Sequence, residues 1–254
     1  MYKVLVSIYL ILGIALGGYA QNFHYNYQIH KVDSSYDSKV NPKLQKYINA
    51  QHDKLSRELD VVIGHCDTTL TSYEPASPLS NFLTDILCQQ APAYSGDANI
   101  NHCDIAILNF GGIRSQLPAG DITVGNIYAI SPFENYLTYV EIKGAELRRA
   151  LIRFREHGFN AAYSGAQITY ISGLPSQIKI QGQPLDNEKT YMLVTINFIA
   201  DGGDDILKDI HFENTRLTNI IFRDFLIEEI KNITKSGKSL TGRLDDRVLI
   251  NPTH

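Results

Sequence analysis

Three short motifs between residues 109 and 204 constrain this chain most. They are Asn109-Phe110-Gly111-Gly112-Ile113-Arg114, Ser131-Pro132-Phe133-Glu134-Asn135 and Asn197-Phe198-Ile199-Ala200-Asp201-Gly202-Gly203-Asp204. Each sets an aromatic or a charge beside glycine or proline, directly after an apolar run. Strand ends and the loops beyond them have this pattern, and ligands usually bind there. A fold that holds all three needs several strands separated by helices.

The rest of the sequence supplies those elements. Asn41-Pro42 is a helix start, with an N-cap side chain followed by proline at the first helical position. Leu44, Tyr47, Ile48, Leu55 and Leu59 follow at helical spacing and give one apolar face. Val61–Ile63 reads as a strand, Leu79–Gln90 as a helix, and Asp104–Asn109 as a short apolar strand. A turn of helix is expected within Asp121–Ile130, a strand over Leu137–Ile142, and a strong helix over Gly144–His157. Strands then dominate, at Gln167–Ile171, Gln177–Ile180 and Tyr191–Ile196, with Gly182-Gln183-Pro184 turning between them. A last helix is predicted from about Leu217 to Ile233. It sets Arg223, Glu228, Glu229 and Lys231 on a solvated face opposite an apolar stripe. The irregular alternation points to an α+β fold, with mixed sheets covered by helices.

The first twenty residues read as a secretory signal. Lys3 is the only early charge, an apolar run extends from Val4 to Leu16, and Gly18-Tyr19-Ala20 is a small-x-small cleavage site. The run is short for a membrane span. The organisation expected is therefore a signal at 1–20, an arm and linker helix at 21–60, and a domain at 61–254, exported to a periplasm or beyond the cell. The formal charge of the chain is −4, and removal of Lys3 makes it −5. That argues against a nucleic-acid polymer, which favours a strongly basic face, but leaves a single nucleotide open. Three cysteines remain, Cys66, Cys88 and Cys103. An exported chain can oxidise two of them. Cys88 with Cys103 is the pair expected if a bridge forms; three buried thiols are the alternative.

Each motif has a plain reading and a chemical one. Gly111-Gly112 lets backbone amides approach an anion or a ring, and Arg114 offers the planar fork that suits phosphate. Alone, this is more simply a glycine turn with a surface arginine. Phe133 and Phe198 on separate loops can sandwich a flat base, or be ordinary core residues. Asp201, Asp204 and Asp205 surround two glycines. The spacing does not suit an EF-hand calcium loop, which leaves a carboxylate for ribose hydroxyls or solvated acids on a turn.

Taken together, the three motifs resemble, in order and approximate spacing, the C-terminal substrate-binding domain of the 5′-nucleotidase family. Supporting matches are Leu79-Ser80-Asn81-Phe82-Leu83-Thr84-Asp85, Gly120-Asp121-Ile122-Thr123, Gly144-Ala145-Glu146-Leu147, Ser164-Gly165 and Gln183-Pro184-Leu185-Asp186. The resemblance spans roughly residues 40–250, with the helix at 42–59 similar to the family's interdomain linker. It implies that Phe133 and Phe198 stack on a nucleobase, that Asn135 hydrogen-bonds the base, and that Asp204 holds the ribose. Asn109, Arg114 and Gly165 match pocket-lining positions, with Arg114 directed at phosphate. Two departures stand out. The stretch Tyr73-Glu74-Pro75-Ala76-Ser77 lacks the arginine usual before the family's first helix, and Asp205-Ile206 replaces the usual glycine and aromatic.

The family's catalytic core is not matched. Its two metal ions are held by an N-terminal domain with an Asn-His-Glu or Asn-His-Asp core, which this sequence lacks. Asp209-Ile210-His211 and Gly64-His65-Cys66 are only lookalikes, and His102-Cys103 lacks the companion spacing of a zinc site. No catalytic residue, metal ligand or cofactor is therefore expected in this chain. Divalent metals are expected in a separate metallophosphatase partner, with a nucleotide or nucleoside as the ligand here. The alternative is a non-catalytic secreted module that binds nucleosides for scavenging or sensing.

Overall fold

The computed structural model describes residues 25–172 and 174–251. The expected signal segment lies outside the described residues. The chain divides into two compact units, 1–50 and 51–254. In the first, the Asp33 side chain accepts from the Ser35 N–H at 3.0 Å and caps a 3-10 turn, Ser34–Lys39. Helix α1, Pro42–Leu59, starts in this unit and ends in the second. It begins where the sequence places it, because the Asn41 side chain accepts from the Lys43 and Leu44 N–H groups at 3.0 and 3.3 Å. Leu44, Tyr47, Ile48 and Leu55 on its apolar stripe are all exposed.

The second unit is built on a five-stranded mixed sheet. Its strands are β2 (Ile105–Asn109), β4 (Tyr136–Lys143), β5 (Ala161–Ser164), β9 (Thr190–Ile196) and β10 (Asn214–Ile221), in the order β10-β4-β9-β2-β5. Only β2 and β9 run parallel; every other neighbour is antiparallel. Strand β2 is buried at every position and β9 at all but its first, as central strands covered on both faces should be. A two-stranded sheet pairs β1 (Val62–Cys66) with β3 (Gly120–Thr123). A four-stranded sheet runs β11-β6-β7-β8, from Val248–Asn251, Ala166–Ile171, Leu174–Ile180 and Gln183–Pro184.

Helices cover these sheets. Helix α2, Pro78–Gln90, opens on a reciprocal cap between Ser77 and Ser80, and buries Leu79, Phe82, Leu83, Ile86 and Leu87 against β2 and β5. Helix α3 (Val124–Ile130) has the same device, with Thr123 and Asn126. Helix α4 (Gly144–Glu156) packs on β4 and β7, and α6 (Phe222–Lys235) on β1. A short α5, Asn197–Ala200, follows β9 directly. Gly144 is required by close packing: a Cβ there would lie 1.8 Å from the Asp186 carbonyl oxygen.

The α+β class, with mixed sheets under helices, is as the sequence suggests. The last helix is not. Residues 214–221 form β10, and the helix begins only at Phe222. The run Asn-Thr-Arg-Leu-Thr-Asn-Ile-Ile is rich in β-branched residues and pairs with β4, which outweighs the helical spacing of its apolar side chains. Nor is the polar face of α6 uniformly solvated, since Arg223 and Glu229 are buried. Glu229 accepts from the Tyr94 hydroxyl and from Asn232. Strands β5 and β11 are too short to announce themselves.

Candidate functional site

The strand directions explain why the three motifs meet. The first follows the C-terminal end of β2 and the third the C-terminal end of β9, its parallel neighbour. The second precedes β4, which is antiparallel to β9 with Leu137 opposite Ile196, so its loop arrives at the same sheet edge. Strand β5 begins there too, with Ala161 opposite Asn109. So does the end of β10, with Ile221 opposite Tyr136.

At that edge an open cleft of about 320 Å³ is lined by Asn109, Gly111, Gly112, Arg114, Phe133, Asn135, Phe198 and Asp204. This is the size range of a small-molecule site. Phe133 is 46% exposed and Phe198 40%. An aromatic ring buried in the core would be far less accessible, so the core reading of these two residues does not hold. Beneath the cleft, Leu108, Ile130, Ile196 and Phe222 line an inner pocket that shares Asn109, Gly112 and Asn135 with it.

Hydrogen bonds tie the motifs to one another. The Asn109 side-chain amide donates to Asp204 Oδ2 at 2.6 Å. The Asn197 side chain accepts from the Tyr136 N–H at 2.8 Å, joining the third motif to the start of β4. Asp204 adopts left-handed backbone angles, φ 53° and ψ 22°, and Asp205 has φ 56°. Such angles in non-glycine residues cost roughly 1 kcal/mol or more each. The loop is held there by Asn160 Nδ2, which donates to the Asp204 carbonyl at 2.8 Å, and by the Lys208–Asp205 pair at 2.9 Å. Arg153 and Arg149 of α4 reach the Lys208 and Asp209 carbonyls. The glycines make room for side chains of the cleft: a Cβ on Gly112 would lie 2.6 Å from Asn109 Oδ1, and one on Gly203 2.5 Å from the Phe198 ring. Arg114 is exposed. Its N–H donates to Ile130 at 2.8 Å, and its guanidinium donates to the Gly111 carbonyl at 3.2 Å.

Of the residues singled out from sequence, Asn109, Arg114, Phe133, Asn135, Phe198 and Asp204 share this cleft. Gly165 does not. It lines a separate concavity with Asp85, Ser164, Gln181, Asp245 and Arg247. Strand β5 runs away from the site edge, so Gly165, just past its end, lies beside Asp104 at the opposite end of β2. Its φ is +82°, and a Cβ would lie 2.2 Å from the Asp104 carbonyl, so its glycine serves packing. The residue of this segment at the site edge is Asn160, which the motifs do not flag. Asn197 belongs to the third motif, but the sequence alone assigns it no role. The Tyr73–Ser77 stretch is not part of the cleft lining, and neither is Glu74.

The metal lookalikes do not assemble. His65 pairs with exposed Asp121 at 3.2 Å, while Cys66 is buried and its thiol donates to the Thr68 carbonyl at 2.9 Å. Among the described residues no group of three or more His, Cys, Asp or Glu side chains is arranged to hold a metal ion. The described residues therefore do not fit a dinuclear metal centre. Cys88 and Cys103 are neighbours, with sulfurs 2.7 Å apart. No described helix is long and apolar enough to cross a membrane.

The sequence matches the family model of the 5′-nucleotidase C-terminal domain over residues 62–209, more than half of the chain. Protein UshA of Yersinia enterocolitica is 38% identical over 105 residues, which are 40% of this chain and 19% of that protein. The 5′-nucleotidase of Vibrio cholerae is 25% identical over 189 residues, 70% of this chain and 32% of that one. The chain thus spans less than a third of either relative. The fold is shared with the 5′-nucleotidase precursor of Thermus thermophilus, with a TM-score of 0.67 at 24% identity, over 81% of this chain and 42% of that one. With fold, motif order and family match in agreement, this chain belongs to the 5′-nucleotidase C-terminal domain family.

Proposed function

We propose that this chain is the nucleotide-binding half of an exported 5′-nucleotidase. In this reading it positions a nucleoside monophosphate for ester hydrolysis by a separately encoded metallophosphatase. The observation that carries it is the convergence of two exposed phenylalanines, a carboxylate, two side-chain amides and one arginine on a single cleft. Phe133 and Phe198 take the two faces of a base. Asn135 bonds its edge. Asp204, oriented by Asn109, accepts from ribose hydroxyls. Arg114 meets the phosphate at the exposed rim. Ester cleavage needs an activated water and a charge clamp on the departing oxygen, which divalent metals supply. Those metals belong to the partner, and no step is assigned to a residue of this chain.

The test is phosphate release from AMP. The isolated chain is expected to release none, with added divalent metal or with chelator, and to raise the activity of a metallophosphatase that lacks this domain. Hydrolysis of AMP by the chain alone, surviving chelator, contradicts the proposal. The apolar run at 4–16 supports export; a secreted form that begins at Gln21 is the expected product.

One observation favours a second reading, a nucleoside-binding module without catalytic duty. Arg114 is the only cation in the cleft lining among the described residues. A scavenger of nucleosides should bind adenosine more tightly than AMP, whereas a nucleotidase half gains affinity from the 5′-phosphate.

A further inference from the structure

Phe133 lies on a loop, Ser131–Asn135, with nearly half the residue's surface open. Such a ring stacks well only if its backbone is fixed beforehand. The fixing comes from the first two residues of α6. The Phe222 N–H donates to the Asn135 carbonyl at 2.7 Å, and Arg223 Nη1 donates to the Pro132 carbonyl at 3.3 Å. Consecutive residues of one helix start thus grip the chain on both sides of Phe133. The Arg223 guanidinium also lies over the Tyr128 ring, 4.1 Å from its centroid. Tyr128 belongs to α3, the helix that ends where the loop begins. One side chain therefore joins α6, α3 and the loop.

Arg223 is a costly way to fill this space. It is 6% exposed, its Nε is enclosed without a hydrogen-bond partner, and the neighbouring Asp224 carboxylate is 3.7 Å away and mostly in solvent. It is also a cation in the first turn of a helix, the end where the dipole disfavours positive charge. A well-packed apolar side chain serves stability at least as well as a buried ion. What an apolar residue cannot do is donate to Pro132 while stacking on Tyr128.

We propose that Arg223 is a positioning residue for Phe133, holding the base-stacking ring in place without touching the ligand. The claim rests on the nucleotide-binding reading for its consequence, but not for its geometry, so two readouts are needed. One is calorimetric affinity for adenosine in wild type, Arg223→Lys and Arg223→Met. The other is the ¹⁹F resonance of 4-fluorophenylalanine at position 133 in the ligand-free protein, in the same three backgrounds, with melting temperature recorded for each. In Arg223→Met the adenosine affinity should fall about tenfold or more, the fluorine line should broaden or split, and the melting temperature should hold or rise. Arg223→Lys, which keeps a donor but not the planar stack, should fall between, and it serves if the methionine variant does not fold. An unchanged fluorine line and unchanged affinity overturn the proposal, as does an affinity loss that follows melting temperature with the fluorine line unaltered. If wild type binds no adenosine, the nucleotide reading fails, and the fluorine line alone decides whether Arg223 orders Phe133.

Discussion

The Asn109 amide meets the Asp204 carboxylate at 2.6 Å across a sequence separation of 95 residues. This contact joins the end of β2 to the loop that follows β9 and α5, and it turns one carboxylate oxygen toward a fixed partner. A hydrogen bond to a charged group contributes about 1.5–3 kcal/mol. If Asp204 receives ribose hydroxyls, Asp204→Ala should lower adenosine affinity tenfold or more and leave free adenine nearly unaffected. Calorimetry with both ligands checks this. Equal losses for both would remove the ribose role.

Gly203→Ala is expected to disturb the site through Phe198. The added methyl would lie 2.5 Å from both the ring and the carbonyl oxygen of Phe198. The backbone atom cannot swing aside, so the cost is that of overpacking, about 1–3 kcal/mol. Adenosine affinity should drop together with the melting temperature. Retention of both would mean that the loop relaxes freely and does not hold the ring.

Most of the candidate cleft's lining was legible in the sequence because its side chains sit in three compact motifs. Six of seven chosen residues line the cleft. Gly165 lies away from the cleft because β5 runs antiparallel to β2 and ends at the far end of the sheet, a direction that only the strand pairing reveals. Asn160 and Arg223 act through backbone carbonyls of distant loops, and no spacing rule reaches such contacts. Helix α2 was readable as Leu79–Gln90, one residue short of its Pro78 start. Strand β10 was not, since Leu217, Ile220 and Ile221 fit a helix face as well as a strand until the pairing with β4 is known.

Arg247 should anchor the domain away from the site. It is 8% exposed and donates to Asp85 at 3.0 and 3.1 Å, to Asp245 at 2.7 Å, and to the Tyr163 carbonyl at 2.9 Å. Arg247→Met should destabilise by about 2–3 kcal/mol, less than a fully enclosed pair because both aspartates are partly exposed. Its hydrogen bond to Arg247 holds the Asp245 carboxyl below the usual range, against the opposing effect of burial. A carboxyl with a depressed folded pKa stabilises above its unfolded pKa, near ~3.9, and that contribution vanishes as pH falls through the lower folded value. The melting temperature of wild type should therefore drop more steeply below about pH 4 than that of Arg247→Met. Parallel curves would deny the linkage.

The three cysteines should differ in reactivity. Burial pushes the Cys66 thiol up and the Cys103 thiol well up, so little thiolate exists on either at neutral pH. The reduced native protein should resist alkylation at Cys66 and Cys103 under conditions that modify every cysteine of the denatured chain. Exchange with oxidised glutathione, which takes up the two electrons, should link the adjacent Cys88 and Cys103 and leave Cys66 free. Peptide mass mapping reads both results, and a Cys66-containing disulfide would contradict the arrangement.

The most direct test of the proposal that this cleft binds a nucleotide is calorimetric titration of the chain with adenosine and with AMP, beside the Phe133→Ala/Phe198→Ala double variant. The account predicts saturable binding in wild type, tighter for AMP, and its loss in the double variant while the fold remains intact. Binding that survives removal of both rings, or a folded wild-type chain that binds neither ligand, would contradict it.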